Sequence, residues 1–130
     1  MWPRSDSAPI TALRAQAYRI PTDLPEADGT FQWNATTLVL AHVEATGVTG
    51  IGFTYADASI ASLIDGVLLG AIKGRNAFDI PGCWMAMYRA VRNLGRSGLA
   101  ACAISAVDTA IWDLKARVLG LPLASLLALP

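Results

Sequence analysis

The sequence predicts an α+β fold, a three-stranded antiparallel meander followed by a helical segment. Three observations carry this. Residues 36–55 alternate side-chain character around a glycine-bearing break, which is the pattern of a hairpin with one buried face. Residues 99–119 repeat apolar side chains at three- and four-residue steps, which is the period of an amphipathic helix. Strand-like segments come first and helix-like segments afterwards, so the sheet and the helices are segregated rather than interleaved.

Residues 10–20 (ITALRAQAYRI) alternate loosely and stop at Pro21, giving the first strand. Residues 21–34 (PTDLPEADGTFQWN) hold two prolines, Gly29 and several acids and amides. They read as a long loop with a turn at Asp28-Gly29. Loops of that length are usually functional or disordered, and Phe31 and Trp33 argue against disorder. Residues 36–46 (TTLVLAHVEAT) form the clearest strand, with Val39, Ala41 and Val43 on one face and Leu38, Leu40, His42 and Glu44 on the other. Gly47-Val48-Thr49-Gly50 is expected to be the hairpin loop, and Ile51, Phe53 and Tyr55 to share one face of the return strand. Asp57 or Ser59 can cap a helix running to Ile72, and Asp79 can cap another, with Pro81 in its first turn and Gly95 ending it. The longest helix covers 99–119, Gly120 follows its end, and Pro122 opens a last short helix over 123–129.

The totals limit the functions open to such a domain. The chain has 130 residues, about half of the ~250 that a (β/α)8 barrel needs. Acids and bases balance at ten each, so no global field favours nucleic acid or an anionic membrane. No uncharged apolar run reaches the ~20 residues of a membrane helix, and nothing after Met1 reads as a signal peptide. Cys83 and Cys102 match no metal spacing, and there is one histidine in the chain. Two readings of the cysteines stand, free thiols of a cytoplasmic protein or a disulfide. Charged residues make up 15% and hydrophobic ones 54%, with mean hydropathy +0.44. Either the core is unusually full or apolar surface awaits a partner.

Residues 98–127 (GLAACAISAVDTAIWDLKARVLGLPLASLL) carry a longer pattern. Its elements are Ala103, Ser105-Ala106-Val107-Asp108, Ala110, Asp113-Leu114, Ala116-Arg117, Pro122-Leu123 and Leu126-Leu127, and the small residues Ala103, Ala106 and Ala110 let another element approach this helix closely. This resembles the signature that closes the amino-terminal capping domain of the mandelate racemase/muconate lactonizing enzyme family, in the enolase superfamily. Residues 36–55 resemble that family's second and third strands. Ala128 stands where the family usually has Gly.

The resemblance implies an enolase N-terminal domain-like fold, with residues 1–9 as an extension and 10–130 as the capping domain. It implies a substrate-specificity lid for a Mg2+-dependent acid-sugar dehydratase or racemase, which removes the proton α to a carboxylate. In that family the base and the Mg2+ ligands lie on a C-terminal barrel. The expectation is therefore no catalytic or metal residue here, no cofactor in this chain, and no activity by itself. The barrel and a small carboxylate or acid-sugar substrate are the implied partners, and a homo-oligomer is left open. The alternative is a stand-alone non-catalytic α+β interaction module or gene remnant.

By resemblance, residues 21–34 are the first of two lid loops, and the second starts near Tyr55–Ser59. The substrate-contact candidates are Phe31, Trp33 and Tyr55. For each, a bland reading stands beside the sharp one: loop anchor for the first two, core or rim for the third. Glu26 and Asp28 read as turn and solvated residues. Asp108 and Asp113 are five apart, so they share a helix face poorly and read as structural. His42 lacks an acid–base partner, and Cys83 lacks an adjacent base. The basic residues Lys73, Arg75, Arg89, Arg92 and Arg96 are scattered. Residues 119–130 carry no charge, so Leu121, Leu123, Leu126, Leu127 and Leu129 are expected to make an isolated chain sticky.

Overall fold

The structure is a computed structural model, and it describes residues 7–128. Three strands, β1 (Ile10–Ala27), β2 (Gln32–Ala45) and β3 (Val48–Tyr55), form one antiparallel sheet in the order β1-β2-β3. The α+β class and the meander are as expected. Four helices follow: α1 (Ile60–Ile72), α2 (Ile80–Ala90), α3 (Ala101–Leu119) and the short α4 (Leu123–Leu126). Alpha1 carries a π-helical turn at Ile64–Leu68.

Both hairpins differ from the sequence expectation. Residues 21–34 are not an open loop. Beta1 runs on to Ala27 and β2 begins at Gln32, so the two strands extend as a ribbon around a tight turn. The prolines are absorbed at a break in register, where Pro21 pairs with Ala35 and the next pair is Glu26 with Trp33. An edge strand with a bulge can hold prolines that a central strand would reject. The second loop is shorter than expected. Ala45 pairs with Val48, leaving Thr46 (φ 53°) and Gly47 (φ 77°) as a two-residue turn. Two positive φ values are what the right-handed twist of a hairpin favours. Thr46 occupies a conformation that a β-branched residue avoids, so its side chain hid the turn from a composition-based reading.

One face of the sheet makes the core. Val39, Ala41, Val43 and Ala45 are fully buried, together with Ile10 and Leu13. Against them pack Ile60, Ile64, Leu68 and Ile72 of α1, Met87 of α2, and Ala103, Ala106, Val107, Ala110, Ile111 and Leu114 of α3. Ala8 is also buried, and its N–H donates to Asn76 Oδ1 at 2.9 Å. The packed unit therefore begins ahead of the boundary expected at residue 10.

The closest approach is between α3 and β3. A Cβ built on Gly50 would collide with the Ala110 carbonyl oxygen, and one on Gly52 with that of Ala106. Small residues on both sides let backbone meet backbone, which is the close approach that Ala106 and Ala110 implied.

The helix ends follow their sequence signals. Asp79 Oδ1 accepts the Gly82 N–H at 3.1 Å, capping α2. Alpha2 ends at Ala90, one turn earlier than Gly95 implied. At Gly120 the chain turns, and the Leu121 N–H donates back to the Ala116 carbonyl at 3.0 Å. Ala128 has φ 55°, a left-handed conformation that accounts for glycine being usual there. Of the terminal leucines, Leu121 and Leu127 are exposed, Leu123 and Leu126 are half-buried, and Leu129 lies outside the described residues.

Each edge of the sheet is closed by a helical carboxylate. Asp65 of α1 accepts the Ala15 N–H of β1 at 2.7 Å. Asp113 of α3 accepts the Ile51 N–H of β3 at 2.8 Å and the Arg117 Nε–H at 2.7 Å. The structural reading of Asp113 holds. Asp108 is half-buried, and burial pushes its carboxyl above the usual carboxylate range.

Candidate functional site

The helices cover the sheet only as far as Val39. Beyond it, residues 17–27 of β1 and 32–38 of β2 are exposed or half-buried. At ~3.3 Å per residue, the ribbon projects roughly 25 Å from Val39 to Phe31. An uncovered two-stranded ribbon is weak by itself, so its tip is tied together locally. Asp28 Oδ1 accepts the Thr30 N–H at 2.9 Å, the Thr30 hydroxyl at 2.8 Å and the Phe31 N–H at 2.9 Å. Those bonds, the Thr30 N–H foremost, hold the Asp28 carboxyl below its ordinary range. Glu26 Oε2 accepts the Trp33 indole N–H at 2.7 Å. Asp28 has the turn role expected of it, while Glu26 is an exposed strand residue bonded to Trp33 rather than a turn residue.

Phe31 and Trp33 are brought together. Their rings stack at 6.2 Å with planes 18° apart. Trp33 is half-buried while Phe31 is 69% exposed, and Leu24, in the bulge, is 75% exposed. Trp33 also lines an open hollow with Pro25, Gln32 and Asn34. Tyr55 is elsewhere. It pairs with Leu38 at the end of β3, and its ring meets Phe53 edge-on at 6.0 Å. It lies on the sheet face opposite the helices, five β2 residues or roughly 16 Å along the strand from Trp33.

Sequence reasoning passed over Arg19. It shares a β1 face with Leu13, Ala15 and Ala17, and sits at the neck of the ribbon, where Nη2 donates to Asn34 Oδ1 at 3.0 Å. That partner is neutral. The signal was present, because Arg19 is the only Lys or Arg between Arg14 and Lys73. Residues 21–34 and 55–59 hold no Lys or Arg, so Arg19 at the neck supplies the ribbon's one fixed positive charge.

These observations describe a helix-backed sheet with a projecting flap. Residues 11–128 match the profile of the mandelate racemase / muconate lactonizing enzyme family, N-terminal domain. The chain belongs to this family.

A mandelate racemase/muconate lactonizing enzyme-like protein from Rubrobacter xylanophilus superposes with TM-score 0.88 at 47% identity, over 91% of this chain and 33% of that one. The 3,6-anhydro-alpha-L-galactonate cycloisomerase of Streptomyces coelicolor is 35% identical over 112 residues, 82% of this chain and 31% of its own length. The L-talarate/galactarate dehydratase of Salmonella typhimurium LT2, liganded with Mg and L-lyxarohydroxamate, superposes with TM-score 0.79 at 27% identity, over 98% of this chain and 36% of that one. The chain thus spans about a third of the length of these relatives.

Within the family's domain, the signature residues now have physical roles. Ala106 and Ala110 admit Gly52 and Gly50. Asp113 joins the β3 edge to Arg117. Magnesium, bound in the Salmonella enzyme, has no matching donor set here. Among the described residues no three His, Cys, Asp or Glu side chains stand together as a metal site would require. Asp65 and Asp113 are already committed to backbone N–H groups.

Proposed function

We propose that this chain is the lid of a Mg2+-dependent acid-sugar enzyme of the family, setting substrate specificity while a barrel supplies the chemistry. The observation that carries the reading is the projecting ribbon. It extends past the helical layer and presents Leu24, Phe31 and Trp33 with a single guanidinium, Arg19. A soluble domain that holds apolar side chains on a flap is prepared to close over something. Closing expels water and strengthens the electrostatics beneath. Apolar rings contact the carbon skeleton of a sugar acid, and Arg19 supplies the charge that meets a carboxylate. Phe31, Trp33 and Arg19 are the substrate-facing residues of this reading, and Tyr55 belongs to the open sheet face instead. The reading places the protein in the cytoplasm, as an acid-sugar dehydratase or racemase lid.

The test joins the chain to the barrel of the Salmonella L-talarate/galactarate dehydratase, in place of that enzyme's own N-terminal domain. Galactarate turnover that needs Mg2+ is expected from the fusion, and none from the chain by itself. In the fusion, Phe31→Ala and Trp33→Ala should raise KM about tenfold, with kcat changed less. Arg19→Ala should do the same, and Arg19→Lys should recover part of it. Chelator-sensitive turnover by the isolated chain would overturn the proposal. So would an active fusion in which all three alanine variants leave KM unchanged.

A further inference from the structure

The balance of ten acids and ten bases hides a local excess. Between residues 73 and 96 stand Lys73, Arg75, Arg89, Arg92 and Arg96 against one acid, Asp79. Asp79 is taken up in capping α2, and the Arg96 guanidinium lies over the Tyr88 ring at 3.8 Å. Packing brings two of the others together. Arg75 and Arg89 line one groove of about 510 Å³ between α1 and α2. Its other lining residues are small or apolar, among them Gly70 and Ala71 from α1 and Ala86 and Ala90 from α2, and Met85 there is 40% exposed. We infer that this groove docks an acidic amphipathic helix of a different protein, with the helix's carboxylates on Arg75 and Arg89.

Charge, shape and one glycine select that occupant. Among the described residues the ion pairs are Arg14–Glu44 and Arg117–Asp113, so no carboxylate neutralises Arg75 or Arg89. Arg75 is also steadied, since its Nε–H donates to the Ala71 carbonyl at 2.9 Å. A guanidinium held in place suits a carboxylate, and a groove of one sign favours a partner of the other. The shape argues for a helix. At ~30 Å³ for each water, the groove has room for more than ten, far beyond what one inorganic anion fills. No lining residue is aromatic, so there is no platform on which a nucleic-acid base could stack. Two helices with small side chains between them admit the ridge of a third, and Met85 can adapt its shape to what enters. Gly70 gives the last reason. Outside its own helical turn, no described atom lies within 4 Å of a Cβ built there, so glycine meets no need inside the chain. Glycine weakens a helix relative to alanine, and its use at an exposed helical site is to let a partner's backbone come close.

The test uses the purified chain and a dye-labelled helical peptide of about 15 residues, with alanine and leucine along one face and glutamate flanking them. A second peptide has lysine in place of each glutamate. Fluorescence anisotropy should give the glutamate peptide a Kd on the order of 10–100 μM, as suits a small interface. The lysine peptide should bind at least about tenfold more weakly. Arg75→Glu and Arg89→Glu should each weaken the glutamate peptide about tenfold and improve the lysine peptide. Gly70→Leu alters no charge, and should weaken the glutamate peptide by a similar factor because it fills the groove. All three positions are exposed, so circular dichroism and a thermal melt should show each variant folded. Should one variant fail that check, the other two still decide. No binding of the glutamate peptide at about 1 mM, equal affinity for the two peptides, or binding that the folded variants leave unchanged would overturn the inference. Displacement of the peptide by an equal concentration of phosphate or succinate would overturn it too, marking a site for small anions.

Discussion

Two single residues carry opposite kinds of information. Cys83 is buried at the start of α2, and burial, helped by Asp79, pushes its thiol from an ordinary 9.0 up to about 11. A helix N-terminus ordinarily favours a thiolate, but here desolvation wins. The folded value lies above the unfolded one, so the stability this thiol contributes is full below pH 9 and lost as pH rises toward 11. The loss is about 2–3 kcal/mol. Urea midpoints measured across that range should fall more steeply in the wild type than in Cys83→Ala. Equal slopes would show that the thiol is not insulated. Thr46 stores strain instead. At φ 53°, ahead of Gly47, it sits where Asn is the preferred residue. Thr46→Asn is expected to add about 1 kcal/mol, read as a melting temperature higher by a few degrees.

At the scale of elements, the α3–β3 contact is the least forgiving part of the fold. Gly52→Ala would drive a methyl group into the Ala106 carbonyl. Neither backbone can withdraw without breaking a helix or a strand bond, so the expected cost is about 3 kcal/mol or more. Gly70→Ala is the opposite case. Gly70 is in α1 with nothing within 4 Å of a built Cβ, and alanine there should add about 0.5–1 kcal/mol. Chemical denaturation of both variants checks the pair, and similar effects from the two would refute the close-approach argument. The ribbon shows the limit of element-level reading. Proline, glycine and acids between 21 and 34 signal a loop under local rules. The Glu26–Trp33 bond and the Phe31–Trp33 stack, which hold a ribbon instead, join residues across the turn, and composition does not show which will meet.

Across the whole molecule, ten acidic residues are spread so that the described ones never gather in threes with other metal-binding side chains. Any stabilisation by an ion scales with how tightly the folded state binds it. Millimolar Mg2+, or a chelator, is therefore expected to shift the melting temperature of the isolated chain by less than about 1 °C. A larger shift would place a metal site on this domain and undo the division between lid and barrel. The same overview explains the high mean hydropathy. One full core is built between sheet and helices, and a second apolar surface remains on the open side of the sheet. Composition registered both together and could not apportion them. Of the terminal leucines expected to be sticky, Leu121 and Leu127 are exposed.

The α+β class, the strand faces of residues 36–55, the caps at Asp79 and Gly120, and the close-packing surface of α3 were all determined by the sequence itself. Each is a local or periodic property. Side-chain alternation, a three- and four-residue repeat and a run of small residues have the same meaning wherever the chain goes. The tertiary structure alone decided that Gly50 and Gly52 are what Ala110 and Ala106 await, and that Asp65 and Asp113 close the sheet edges. It alone decided that Phe31 and Trp33 stack while Tyr55 faces the other way. Those facts join residues as far as 62 positions apart. Which distant groups meet is set by how the layers pack, and packing is a property of the assembled fold rather than of any segment.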